Sequence, residues 1–253
     1  MADIKNILNQ IKNLNDCIDV YIPSMHKTVE MRQLSIKQCK DLINMPQNIL
    51  HAQYVFFRKI YNIIKENTVS EDIRNFNIID RVAIIIALRA KALTTYKDCD
   101  LSDVVPMINN IPYDLIEPTI TTNNYIFTVK IPTIQSEDIF NKHIINTYKF
   151  SKNTPSLDEI ETMSQEIFGD LTVLEICKYI TNINLVKDDI NVNMEELSPT
   201  QRKEIVENIK TEDLQKVIEF NNKVHAVEAN FTQYNIGEKK LQIDIGPDFF
   251  IFI

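Results

Sequence analysis

Apolar and polar residues alternate with period two at the start of the readable pattern. Ile18, Val20 and Ile22 are separated by Asp19 and Tyr21, and Val29 and Met31 flank Glu30. That period gives each segment one apolar face, so 17–34 reads as a β-hairpin. The pattern then changes. Ser35 with Gln38 three residues later is a capping box and predicts a helix beginning there. Upstream, Ile4, Ile7, Leu8, Ile11 and Leu14 recur at the spacing of an amphipathic helix over 2–14. Pro46 punctuates, and a helix follows over 49–65 with Tyr54, Phe56, Phe57 and Tyr61 at core spacing. Asn77 and Asp80 frame the next start, an N-cap with an acid at N3. The residues after it, Val82 to Leu88, are apolar on every side, which places this helix at the centre of its domain. Arg89 and Lys91 near its end suit the helix dipole; an arginine there is also chemically able to grip a partner's carboxylate.

Beyond Thr94 the signal weakens. Residues 96–100 suit a short strand or a loop, and 101–110 a short helix interrupted by Pro106. Pro118 to Pro132 reads as a second hairpin, β-branched over 126–131, with Asn123-Asn124 supplying left-handed turn residues. Helices are expected at 136–148 and 156–168, the latter opened by Ser156 with Glu159. Asp170 is expected to cap another, running to Ile183. Ser198 with Pro199 and Gln201 opens a further helix, and 212–228 a last one. Period two returns at 231–236 and 241–245, around Gly237. Phe249, Phe250, Phe252 and Ile253 then read either as a strand completing the core or as a strand docking on a neighbour by edge pairing. The polar, Pro-containing stretch 151–155 is the best internal boundary. It separates an N-terminal α+β domain, 1–150, from a C-terminal helical region ending in short strands, 151–253. The fold class expected is α+β, predominantly α-helical with small antiparallel β-hairpins.

Composition removes several function classes. A 253-residue chain with 44% hydrophobic and 25% charged residues has the make-up of a folded protein. Its net charge of -8 and lack of a basic stretch disfavour nucleic-acid binding. Three glycines, Gly169, Gly237 and Gly246, are too few and too scattered for a phosphate-cradling loop. Cys17, Cys39, Cys99 and Cys177 show no metal or redox spacing and read as reduced thiols of a cytosolic protein. His26, His51, His143 and His225 stand apart, with no acid or cysteine at ligand spacing. No secretion signal or membrane-length apolar run is seen, so a soluble chain is expected. No catalytic motif, cofactor or metal is expected, and the function inferred from residues alone is protein–protein binding. An adaptor or scaffold and an enzyme with a dispersed site remain the alternatives.

Several segments together resemble a known family. They are Tyr21-Ile-Pro-Ser-x-x-Lys-Thr-Val29, Arg32-Gln-Leu-Ser-Ile-Lys37 and Asn77-Ile-Ile-Asp80 with Leu88-Arg-Ala-Lys91. Later come Asp170-Leu-Thr-Val-Leu-Glu-Ile-Cys-Lys-Tyr-Ile180 and Leu197-Ser-Pro-Thr-Gln-Arg202. In order and wording they resemble the baseplate hub subunits and hub assembly factors of T-even-type contractile-tailed phages. Where the family hairpin turn favours Gly, this chain has Met25-His26. The resemblance implies binding to other baseplate hub proteins in the host cytoplasm during tail assembly, with the chain either leaving or staying in the virion. The contact residues it suggests are Val20, Ile22, Val29 and Met31 on the hairpin, with Phe249, Phe250 and Phe252 on the terminal strand.

Overall fold

The computed structural model describes residues 4, 16–44, 49–113, 115–148, 157–188 and 190–251, except the side chains of 49–51 and 157–166. The helix expected at 2–14, the boundary at 151–155, the cap at Ser156 and the terminal Phe252 lie outside the described residues. The chain is α+β and predominantly helical, with small antiparallel sheets. It forms two compact units. The first comprises Met1–Gln47, Lys59–Tyr113 and Glu228–Ile253, and the second comprises Asn48–Arg58 and Asp114–Val227.

In the first unit, β1 (Cys17–Ile22) pairs antiparallel with β2 (Lys27–Arg32), Val20 opposite Val29. The turn Pro23–Met25 closes on His26, whose φ of 48° is left-handed. A residue with a Cβ is strained in that conformation, which glycine adopts freely. β2 is extended on its other side: Met31 bridges Thr68, and the Val69 N–H donates to the Glu30 carbonyl at 3.0 Å. The hairpin is followed by α1 (Ile36–Ile43), opened by the Ser35–Gln38 capping box, and residues 59–67 of α2 (Ile49–Asn67). Next is α3 (Ile78–Ala92), where every residue from Ile78 to Ala90 is buried, as its unbroken apolar centre predicts. Each large aliphatic buried there stabilises by about 1.5–3 kcal/mol, so α3 dominates this core.

Two two-residue strands, β3 (Thr95–Tyr96) and β4 (Cys99–Asp100), meet through Lys97 and Asp98, both at positive φ. Pro106 is accommodated at the start of α4 (Val105–Ile108), where a missing N–H costs nothing. The end of the chain supplies β9 (Gln233–Ile236) and β10 (Lys239–Gln242), turned at Gly237 with φ 60°. Pro247–Phe250 is a short 3₁₀ helix, where a strand was expected. Proline fixes its own φ and lacks a ladder donor, which favours the helical turn.

The second unit holds a four-stranded antiparallel sheet in the order β5-β6-β7-β8, formed by β5 (Thr119–Thr121), β6 (Tyr125–Val129), β7 (Ile180–Leu185) and β8 (Ile190–Asn193). The turn at 122–124 is held by the Thr122 hydroxyl, which accepts from the Asn124 and Tyr125 N–H groups at 3.3 and 3.1 Å. That side-chain turn replaces the left-handed asparagines expected there. This unit also holds residues 49–58 of α2, together with α5 (Ile134–Thr147), α6 (Leu157–Tyr179), α7 (Pro199–Glu207) and α8 (Thr211–Asn230), the last as far as residue 227. α6 is one helix where two were expected. Asp170 lies within it, one glycine costs only about 1 kcal/mol, and open space surrounds Gly169. The helix also stops at Tyr179, so Ile180–Leu185 pairs as β7 and does not continue the helix to Ile183.

Candidate functional site

Two of the resemblance-bearing segments meet at a single carboxylate in the first unit. Asn77 caps α3, its side-chain oxygen accepting from the Ile79 and Asp80 N–H groups at 3.0 and 3.2 Å. Asp80 returns the bond, accepting from the Asn77 N–H at 2.8 Å. The same side chain reaches the hairpin turn. Its Oδ1 accepts from the Ser24 N–H at 2.8 Å and its Oδ2 from the Ser24 hydroxyl at 2.6 Å. A helix cap thus doubles as the lock between the hairpin turn and α3. Asp80 is fully buried, and burial pushes its carboxyl up to about 6 against the opposing pull of Ser24 and Asn77.

Around this lock, Asn77 Nδ2 donates to the Tyr113 hydroxyl at 2.5 Å, and the His26 ring meets Tyr113 edge-on at 6.2 Å. The Tyr21 hydroxyl lies 3.4 Å from His26 Nδ1. Ser24, His26 and Asp80 are residue types found in hydrolytic triads, but here the serine donates directly to the aspartate. The histidine is turned to Tyr21 and Tyr113. The geometry is that of a structural lock and lacks the nucleophile–base contact that acyl transfer needs.

The contact residues suggested for the hairpin prove to be core. Val20, Ile22, Val29 and Met31 are 3% exposed or less, and Phe249 and Phe250 are fully buried. Their side chains therefore offer no surface to a partner, and that expectation is corrected. The apolar face of a two-stranded hairpin is too costly to leave in water and is spent on α3. The opposite face is the one presented: Cys17, Asp19, Thr28 and Glu30 are exposed, with Asp19 directly opposite Glu30. Like charges so placed disfavour the isolated sheet. Ile36, at the start of α1, adds an apolar side chain that is 66% exposed.

Arg89 does not reach outward from its helix. Its Nε donates to the Phe249 carbonyl at 2.7 Å and its Nη2 to the Thr95 carbonyl at 3.0 Å, while the guanidinium stacks over the Phe249 ring at 5.4 Å. Phe249 also meets Tyr96 and Phe250 edge-on, at 5.0 and 5.2 Å. Arg89 thereby ties the segment 247–250 to α3. Its Nη1 is buried with no hydrogen-bond partner. A cleft of about 890 Å³ opens beside it, walled by 92–98 and 244–251.

The second unit carries a separate ionic cluster whose members no local spacing brings together. Lys178 near the end of α6 is 8% exposed, with its Nζ 2.5 Å from Glu175 Oε2 and 3.9 Å from Glu137 Oε1. Glu175 Oε1 lies 3.5 Å from His225 Nε2, which is also 3.5 Å from the Tyr179 hydroxyl. Burial would lower the Lys178 ammonium, but the two carboxylates outweigh it and hold it above its ordinary value. Burial likewise pushes Glu175 up, and Lys178 and His225 reverse this, taking it down to about 2. A lysine kept protonated is neither a base nor a nucleophile, so the cluster is suited to holding α5, α6 and α8 together. Nearby, Asp170 accepts from the Tyr148 hydroxyl at 2.6 Å and pairs with Lys203 at 2.6 Å.

Among the described residues, no group of three or more His, Cys, Asp and Glu could hold a metal ion, and no helix is long and apolar enough to cross a membrane. No family model matches the chain, and no curated protein or solved structure matches it either.

Proposed function

We propose that this chain acts by protein–protein binding as a baseplate hub assembly factor or hub subunit of a contractile-tailed phage. The observation that carries this reading is the lock at Asp80. Tyr21-Ile-Pro-Ser24 and Asn77-Ile-Ile-Asp80, two of the segments on which the family resemblance rests, are joined by the Ser24 and Asp80 side chains. A resemblance spread over distant segments gains weight when those segments form one physical feature. Exposed binding surface on this unit is supplied by the outer hairpin face with Asp19 and Glu30, and by Ile36. Binding would take place in the host cytoplasm while the tail is built. The test is a tagged copy of the chain recovered from phage-infected cells, with bound proteins identified by mass spectrometry. Recovery of baseplate hub proteins, reduced by Asp19→Lys with Glu30→Lys, is the expected result. Recovery of host proteins alone would overturn the reading.

A further inference from the structure

The cleft beside Arg89 has an unusual charge arrangement. At its inner wall stands a guanidinium that is 3% exposed, is bonded only to main-chain carbonyls and a ring face, and has one nitrogen unpartnered. Two of its five donors are met by neutral oxygens, and no ion pair to a carboxylate compensates its charge among the described residues. A buried donor without a partner destabilises the fold, and a buried cation without a counter-charge does so more. Folding has placed that cost beside an open cleft.

At the rim the sign reverses. Asp98, Asp244 and Asp248 line the mouth and are exposed. Lys97 pairs with Asp244 at 2.7 Å, leaving Asp98 and Asp248 unneutralised by that bridge. Leu93, Pro247 and Ile251 contribute apolar wall to the same cleft. A polyanion such as a nucleic acid would meet the rim acids first and be repelled. A ligand that complements both zones carries one carboxylate to be buried, an apolar body, and positive charge behind it.

We propose that this cleft binds the C-terminal end of a partner polypeptide. The free α-carboxylate seats on Arg89, and a basic side chain in the last few residues pairs with Asp98 and Asp248. Arginine suits the first task because its planar donors match a carboxylate in two-point geometry. A chain terminus presents a carboxylate that a cleft can admit end-on, and capture of such a terminus by buried donors is an established recognition mode. The site does not depend on the hub reading; it lies at the opposite end of α3 from the Asp80 lock.

The test uses the full chain, immobilised, and a library of hexapeptides randomised at five positions with lysine fixed at the penultimate one. One copy of the library carries the free C-terminal acid, and the other is amidated. Selective retention of the free acids is expected, with binding weakened about tenfold or more by amidation. Asp98→Asn with Asp248→Asn, both side chains being exposed, should also weaken retention and make it less sensitive to salt. Arg89→Lys should abolish retention, with circular dichroism checking that the variant is folded. Equal retention of acid and amide, or no retention of either, would overturn the proposal. Retention set by internal Asp or Glu regardless of the terminus would also overturn it, assigning Arg89 to side-chain carboxylates.

Discussion

Asp80 gives the most direct quantitative test of the fold's chemistry. It is fully buried, receives three donors from Ser24 and Asn77, and ionises near 6 where an ordinary aspartate ionises near 3.8. A folded value above the unfolded one means the native state prefers the protonated form. Its contribution is therefore fully present below pH 3.8 and is lost as pH rises through 6. At 1.36 kcal/mol per tenfold change, ionised Asp80 weakens the fold by about 3 kcal/mol at pH 7 relative to its protonated form. Between pH 4 and 7 the change is about 2–3 kcal/mol, because the unfolded chain is already partly ionised at pH 4.

Asp80→Asn isolates this term. The amide oxygen takes over the bond from the Ser24 N–H, but the amide nitrogen then faces the Asn77 N–H, donor against donor. That mismatch costs about 1–3 kcal/mol at every pH, while the penalty of ionisation disappears. The variant should be clearly less stable than the parent at pH 4 and close to it at pH 7. Urea unfolding of both proteins across this range provides the stability difference, in which the titrations of all other groups cancel. A difference that stays constant from pH 4 to 7 would refute the reasoning, as would an NMR titration placing the Asp80 carboxyl below 4.

Four further outcomes follow from the packing. Phe249→Ala should destabilise by about 3–5 kcal/mol in denaturant melts, since the ring is fully buried against Tyr96, Phe250 and Arg89; a loss under 1 kcal/mol would return it to the surface. Lys178→Met should cost about 3–5 kcal/mol by removing one partner from a buried ionic cluster, and the loss should shrink in acid as Glu175 is protonated, because its lowered ionisation favours the fold only while it is charged. Ser35→Ala should lower stability by about 1 kcal/mol through loss of the cap on α1. His26→Gly should be neutral or stabilising by up to about 1 kcal/mol, since φ is 48° at that turn; thermal melts decide it.

Local signals were legible and their destinations were not. The capping boxes at Ser35, Asn77 and Ser198 stand where their side-chain spacing predicted, because a cap is a contact within four residues. The burial of α3 was equally plain, since an all-apolar helix has only one place to go. By contrast, β7 follows α6 without a single glycine or proline, Tyr179 ending the helix and Ile180 opening the strand. Its partner β8 is half asparagine, with Asn182 facing Asn193 and Asn184 facing Asn191, a residue that strands ordinarily avoid. Such strands are specified by pairing with β6 and by the burial of Ile180 and Ile183, which no local window contains.

The same distinction explains the candidate sites. The apolar face of the hairpin and the terminal phenylalanines looked like binding surface because their hydrophobicity is local information, whereas what covers them is not. Phe249 is claimed by Arg89, 160 residues earlier, through a hydrogen bond to its own carbonyl. The hairpin face is claimed by α3, whose N-cap then reaches back to Ser24 across 56 residues. In both cases a long apolar helix absorbs the hydrophobic residues nearest to it and leaves charged groups at the surface. Recognition by this first unit should therefore depend on charge: the Asp19–Glu30 face and the acid-rimmed cleft above Arg89. Binding that weakens steeply as salt is raised would follow from this arrangement, whereas a partner held by the apolar hairpin face would bind with little change.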